Sequence, residues 1–502
     1  VVSRRWYVSL QWVLAGLLAV SLPFTSFPLV ARITGSSMVA PLALLPMLGL
    51  LVFWLFPYLG RSGKLPKQTL PLLIFALAAV ISTLAAFFLK VPPYKSASLL
   101  RSGLEGMLTL AVGLCFYLVV TAWAGSADRL RFFFRMINWG GLLLIAWSLF
   151  QAFVWFARHS YPDWMWNFQG QMCTSLLLYV QRTTGFAYEP SWLAHQLNML
   201  YLPFWLASVF SGFTAHRLRV WKITFEHILL LGGVAVLALS VSRIGWLTFL
   251  AMVGLLMLLL NIRWARSLMK HLFRRADSAA RKTHLLKIGF TILWVLVSFA
   301  VYAGLIVAAG YVLSKVDTRM ARLFDLSLIR EQSFFHWANH LVFAERIVFW
   351  QAGWEIFNDL PLLGTGLGNS GYFFPQELSA FSWALTEIRI LMYQWTALPN
   401  IKSLWVRLLA ETGIVGFGLF ISWLYVLWHS AVFLRAQNNR LQQMVGLAGS
   451  FMLVAFMLEG FSLDTFALPY YWITFGLVTA ACGMAMSSRR EPHSPDIDPA
   501  GS

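Results

Sequence analysis

Charge is scarce in this 502-residue chain, and negative charge scarcest: only 12% of residues are charged, with 20 Asp and Glu against 38 Lys and Arg. A soluble globular domain carries about twice that charged fraction. With 59% hydrophobic residues and a mean hydropathy of +0.69, the composition excludes the soluble class and points to a polytopic helical membrane protein. Cysteine is equally sparse. Of the three, Cys115 and Cys482 lie in apolar runs and Cys173 stands alone in a loop, so no intrachain disulfide is implied. No internal repeat is visible, the ten histidines are scattered, and neither His-Glu-x-x-His nor clustered Asp occurs, so no metal-ligand spacing stands out and no cofactor is called for. A formal charge of +18 would suggest nucleic acid in a soluble domain. Here most of it is explained as orientation signals beside anionic lipid, and nucleic acid is not expected as a partner. Nor does a cleaved signal peptide suggest itself, since the first apolar run is long enough to stay as an anchor.

Long apolar runs are abundant, and they set the fold class: all-α, a polytopic membrane protein of about twelve transmembrane helices with a large helical extracytoplasmic loop. The spans fall near 8–23, 38–57, 69–89, 104–124, 137–157, 192–212, 226–241, 244–262, 288–313, 404–429, 443–461 and 467–486. With the first span running outward, alternate loops gather the basic residues: Arg4 and Arg5; Arg61, Lys64 and Lys67; Arg129, Arg131 and Arg135; Arg217, Arg219 and Lys222; eight between Arg263 and Lys287; Arg435 and Arg440; Arg489 and Arg490. These are 23 of the 38 Lys and Arg, and by the positive-inside rule they mark the cytoplasm, with both termini inside. The chain reads as one transmembrane domain, 1–486, followed by a polar tail, 487–502, expected to be disordered and cytoplasmic.

Arg243 is the one charge in an apolar stretch from Ile228 to Ile262. A single helix over that stretch would be about 52 Å long against a hydrocarbon core of about 30 Å, so the chain must turn back near the arginine. Parity agrees: one uninterrupted span would reverse every later loop and put the Arg263 to Lys287 cluster outside. A cation at a membrane-edge turn either snorkels to the interface or holds an anion.

Two loops, 158–191 and 314–401, exceed what a compact bundle needs, and long loops are usually functional. Both are placed outside, where cytoplasmic nucleotide donors are out of reach. In the second, Phe343, Ile347, Trp350, Trp354 and Phe357 repeat at steps of four and three, predicting an amphipathic helix with that stripe as its apolar face. It should stop at Asn358-Asp359-Leu360-Pro361, before a turn-rich stretch with Gly364, Gly366, Gly368 and Gly371. Gly364-Thr-Gly-Leu-Gly has a loose nucleotide-loop look, but it follows no strand and reads as a turn.

A cation recurs near each outer span end: Arg101, Arg182, Arg243, Arg346, Arg389, Lys402 and Arg407. Guanidinium groups are planar, bidentate and always charged, so several facing one cavity would clamp a diphosphate. The plainer reading of any one is a lipid headgroup contact or a salt bridge, as for Arg407 with Glu411 four residues on. Outer carboxylates, Glu105, Glu189, Glu345, Glu411, Glu459 and Asp464, are the candidate bases. Glu189 stands in Arg182-Thr-Thr-Gly-Phe-Ala-Tyr-Glu-Pro-Ser191, directly before a span, with His195 one and a half turns later. Glu-Pro-Ser can equally be a helix start.

Taken together, these motifs resemble the bacterial O-antigen ligase and Wzy-type polysaccharide polymerase superfamily. The matching pieces are Arg182-Thr-Thr-Gly-Phe with Glu189-Pro-Ser; Ser240-Val-Ser-Arg243 at a hairpin; Arg346 and Trp350 leading to Asp359-Leu-Pro-Leu-Leu-Gly-Thr-Gly-Leu-Gly-Asn369; and Lys402-Ser-Leu-Trp-Val-Arg-Leu-Leu-Ala-Glu411-Thr-Gly-Ile-Val-Gly416. The resemblance implies a metal-independent, inverting glycosyltransferase of the bacterial inner membrane, facing the periplasm or exterior. Donor and acceptor would be oligosaccharides on undecaprenyl diphosphate, with a chain-length-regulating membrane protein as a further partner. Ligases of the superfamily carry a His-Asn or His-Ser pair nine residues before the glutamate of their Glu-x-Gly signature. Lys402 occupies that histidine position here. A protonated lysine is a poor base and suits a phosphate, so polymerase is favoured over ligase.

In such a reaction charge builds on the departing diphosphate while a sugar hydroxyl attacks the opposite face. Arg243 and Arg346, then Lys402 and Arg182, are the expected diphosphate contacts, Glu189 the expected base, and Arg407, Glu411 and His195 supporting residues. The alternatives are an O-antigen ligase acting on lipid A core, a lipid-linked oligosaccharide flippase of similar span count, and a non-catalytic assembly scaffold. A flippase would more commonly show paired repeats and short symmetric loops.

Overall fold

The computed structural model describes residues 2–36, 38–272, 281–315 and 343–488. The expected tail beyond Ser488, the 316–342 part of the long loop and the 273–280 part of the largest basic cluster lie outside the described residues.

The described residues are helical nearly throughout, with one two-residue-per-strand hairpin among them, Arg219–Val220 paired antiparallel with Ile223–Thr224. The helices are α1 (Val2–Val20), α2 (Pro28–Thr34), α3 (Leu44–Leu50), α4 (Phe56–Gly60), α5 (Leu70–Ala85), α6 (Leu99–Trp123), α7 (Ala127–Arg158), α8 (Asp163–Met172), α9 (Pro190–Gln196), α10 (Leu202–Ser211), α11 (Phe225–Ser240), α12 (Arg243–Leu272) and α13 (Arg281–Ser314). After the undescribed stretch come α14 (Ala344–Asp359), α15 (Ser370–Phe373), α16 (Thr386–Tyr393), α17 (Leu404–Arg435), α18 (Arg440–Glu459) and α19 (Pro469–Ser488). Each segment expected to span is helical, with π turns at Leu51–Leu55 and Leu197–Tyr201 joining α3 to α4 and α9 to α10. Six of the described helices are long and apolar enough to cross a membrane: Lys67–Phe88, Leu99–Trp123, Ala127–Arg158, Arg243–Ala265, Leu404–Arg435 and Arg440–Glu459.

α19 is the axis of the bundle. It is apolar on every side, and its residues from Pro469 to Cys482 are all buried, as expected for a helix enclosed by others. α6, α17 and α18 pack around it, with Trp423 stacked on Trp472 at a centroid distance of 5.5 Å. Outer helices instead turn apolar side chains outward: Leu70, Leu77 and Leu84 on α5 are each more than half exposed. On a soluble protein such stripes would be a liability, whereas lipid covers them at no cost.

The hairpin forms where the lone arginine required it. α11 ends at Ser240, Val241 takes a left-handed conformation (φ 50°), and α12 starts at Arg243. α14 also ends at Asp359, before Leu360-Pro361, as predicted. Its buried face is not the predicted stripe, however. Ala344, Val348, Phe349, Ala352, Gly353 and Ile356 face inward, while Trp354 is 49% exposed. Both sides of this helix are apolar, and the side with smaller residues lets it approach α17 more closely. At Gly353 an added Cβ would lie 2.7 Å from Ile401 and Val406 side chains.

α17 is broken at Gly413, whose φ of 61° and ψ of −168° suit glycine alone. The break releases backbone groups that the Pro361–Gly366 stretch takes up: Thr365 N–H donates to Ala410 O at 2.9 Å, Gly366 N–H to Glu411 O at 2.9 Å, and Ile414 N–H to Pro361 O at 2.8 Å. A Cβ at residue 413 would sit 2.2 Å from Leu362 O. Gly413→Ala is therefore expected to cost on the order of 2–3 kcal/mol or more, read as a lowered midpoint in thermal unfolding of detergent-solubilised protein.

Candidate functional site

One end of the bundle gathers the ends of α5, α7, α11 and α18 with the starts of α6, α9, α12 and α17. Its organising piece is the turn after α18, residues 459–464. Ser403 and Leu404 bond to Gly460 O, and Leu404 N–H also reaches Leu463 O. Arg407 Nη1 donates to Asp464 O. Trp350 of α14 packs on Phe461 with centroids 5.5 Å apart. From the other side, His195 Nδ1 and Glu459 Oε2 form a short contact, and Asn198 Nδ2 donates both to Glu459 Oε1 and to Gly245 O, at 2.9 Å each. His195, Asn198 and Glu459 are fully buried, so this cluster clips α9, α12 and α18 together. The elements bearing Glu189, Arg243, Arg346 and Lys402 thus meet around a single turn.

The side chains themselves divide into groups. Arg182 Nε donates to Ser240 O at 3.0 Å and Thr183 N–H to Leu239 O at 3.1 Å, so residues 182 and 183 close the carbonyl end of α11 three residues before Arg243. Glu189 is the extended residue ahead of α9, which starts with Pro190, and its Oε1 accepts from Ser191 Oγ. The helix-start reading of Glu-Pro-Ser is what the backbone adopts. Tyr179 lies within the field of both: burial first, then the Glu189 carboxylate, push its phenol up, while Arg182 pulls it down.

Arg346 occupies the first turn of α14. Its Nη1 is buried and has no hydrogen-bond partner among the described residues, and the same holds for Trp350 Nε1 one helical turn on and for Glu345 Oε2. Lys402 has a different company: it is ion-paired with Glu387, and its Nζ stands 4.3 Å from the Phe349 ring centre.

Arg407 and Glu411 pair as their spacing predicts, with Nε 3.0 Å from Oε2, and Ser370 Oγ donates to Glu411 Oε1 at 2.9 Å. They line a cavity of about 640 Å³ together with Arg101, Glu105, Gly368 and the 396–400 loop. Arg101 and Glu105 form the other ion pair there, at 2.8 Å. Hydroxyl-bearing walls complete it, since Ser102 Oγ reaches Asn369 Oδ1 at 2.7 Å and Ser370 lies beside it. The cavity offers two guanidiniums, two carboxylates and several hydroxyls within one concave space, a donor and acceptor set that suits a sugar bearing a charged group. Arg182, Glu189, Arg243, Arg346 and Lys402 are not among its lining residues. The sequence contained its charged members, but Ser102, Ser370 and the 396–400 loop carried no signal, because Ser102 meets Asn369 across 267 residues of chain.

Residues 227–421 of the chain match the family model described as O-antigen ligase. The match supports the O-antigen ligase and Wzy family, and with it a glycosyltransferase-like membrane enzyme of polysaccharide biosynthesis. No curated protein matches the chain. The matched stretch begins in α11 and ends in α17, so it takes in Arg243, α14, the glycine-rich turn and the Arg407–Glu411 pair.

Proposed function

We propose that this chain is a polysaccharide polymerase, joining undecaprenyl-diphosphate-linked repeat units at the extracytoplasmic face of the bacterial inner membrane by inverting transfer without a metal. The observation that carries the reading is the pair of buried donors on α14, Arg346 Nη1 and Trp350 Nε1, which have no hydrogen-bond partner among the described residues. Burying such a donor costs about 1–3 kcal/mol, a cost an acceptor-rich ligand would remove. They lie within the O-antigen ligase match, beside the turn that also anchors α12 and α17.

In this mechanism the acceptor hydroxyl attacks the anomeric carbon from the face opposite the diphosphate. The bond from that carbon to the phosphate oxygen breaks, and its electron pair leaves with the diphosphate. Arg346 and Arg243 first, then Lys402 and Arg182, hold the developing charge, as fixed cations at that position can. Glu189 takes the hydroxyl proton. The Arg407–Glu411 pair braces the wall of the sugar-sized cavity. The about twelve spans and cytoplasmic termini belong to the same reading, which the basic clusters support.

A second reading, transfer of the glycan to lipid A core, is favoured by the description of the matched family. Purified protein given lipid-diphosphate oligosaccharide, with chelator and no nucleotide sugar, should produce a ladder of longer lipid-linked chains. Transfer only onto lipid A core would leave the ligase standing instead. Passage of intact substrate across vesicles with no new glycosidic bond would favour a flippase and remove both.

A further inference from the structure

The opposite end of the bundle holds a second cavity, of about 500 Å³, into which four arginines converge from three separate stretches of chain: Arg131 and Arg135 near the start of α7, Arg217 in the turn after α10, and Arg440 at the start of α18. None of the lining residues is acidic. Of the carboxylates nearby, Asp128 lies three residues before Arg131 in the first turn of α7, and Glu226 is buried and already engaged, accepting from Asn138 Nδ2 at 3.2 Å, Ala215 N–H at 2.9 Å and Thr214 Oγ1 at 2.8 Å. Two of the guanidiniums are held in place by backbone carbonyls, Arg135 Nε by Ala215 O at 2.5 Å and Arg440 Nη1 by Gly212 O at 3.4 Å.

Orientation in the membrane requires only that basic residues be numerous in the loops on one side; it does not require them to share one concave space. Four like charges in one cavity repel one another, and a recess between low-dielectric walls focuses their field. With Glu226 spent on the fold, no residue lining the cavity offsets the four guanidiniums, which are exposed and open to an anion from outside. Guanidinium forks in this number match the oxygens of a phosphate group. Burial first, and the Arg135 charge with it, hold the His216 imidazole below its ordinary value against the pull of Glu226, so at neutral pH the cavity wall adds a ring without a further charge.

We propose that this cavity is a binding site for a phosphate or diphosphate group, carried either by an anionic lipid of the adjoining leaflet or by a soluble anion. It is separate from the cavity at the other end and does not depend on the reaction proposed there.

The test uses the full-length protein in two arms. In the first, it is reconstituted in nanodiscs of phosphatidylcholine with and without one-fifth phosphatidylglycerol or cardiolipin, and retained lipid is counted by native mass spectrometry. In the second, pyrophosphate binding is titrated calorimetrically in neutral nanodiscs. The double variant Arg131→Gln with Arg217→Gln removes the two arginines that make no hydrogen bond or ion pair with a described residue, so the fold keeps its anchors. Loss of binding by roughly tenfold or more in either arm is expected, and the arm that responds identifies the source of the phosphate. Lys64→Gln with Lys67→Gln, basic residues of a different cavity at the same end, should leave binding unchanged. Equal binding by wild type and the arginine variant in both arms would overturn the proposal. So would an equal loss in the lysine variant, which would assign the effect to surface charge at large.

Discussion

Arg346→Ala is expected to lower the rate of glycan transfer by about a hundredfold to a thousandfold while leaving the thermal midpoint of the substrate-free protein unchanged or slightly raised. The two halves of that outcome come from one fact. Nη1 of this residue is buried without an acceptor among the described residues, so the substitution removes a destabilising group from the empty fold and a stabilising one from the occupied site. Arg346→Lys keeps the charge but loses the planar fork, and should recover part of the rate. Arg243→Ala is expected to impair transfer to a similar extent, although Arg243 also makes contacts within the fold, so its stability readout is less clean. Transfer assays paired with thermal melts of the same preparations check both. Full activity in the two alanine variants would remove Arg346 and Arg243 from the mechanism.

A second large effect concerns stability. Glu459 accepts from Asn198 Nδ2 and meets His195 Nδ1 in a region with no access to water. Glu459→Ala strands two buried polar groups and opens a gap where α9, α12 and α18 join, at an expected cost of about 3–5 kcal/mol. The midpoint of thermal unfolding should fall by many degrees, with loss of yield on solubilisation. Glu459→Gln keeps one acceptor oxygen and should fall in between. If Glu459→Ala melts like the wild type, the buried cluster contributes nothing to holding those helices together.

Much of the architecture could be read from the chain because membrane solvation makes hydropathy nearly decisive. The reversal before Arg243 follows from a stretch too long for one span, and the helix ending at Asp359 follows from Leu360-Pro361. The Arg407–Glu411 pair follows from helical spacing alone. The inward face of α14 did not, because large aromatics on one side concealed the tighter fit available to Ala344, Val348 and Ala352 on the other. Nor did the cavity: its walls come from α6, the glycine-rich turn, the 396–400 loop and α17, whose proximity depends on tertiary packing that no local pattern encodes. Lys402 shows the same limit. Its partner Glu387 lies in the long loop, where periodicity gives no register against α17.

The broken helix at Gly413 also bears on how anything enters. Because the Pro361–Gly366 strip is stitched to the carbonyls of Ala410 and Glu411, and Ser82 Oγ donates to Glu411 O from α5 at 2.8 Å, that side behaves as a fixed jamb. Among the cavity walls the irregular one is the 396–400 segment, so under the proposed function a lipid-borne sugar is expected to arrive past it.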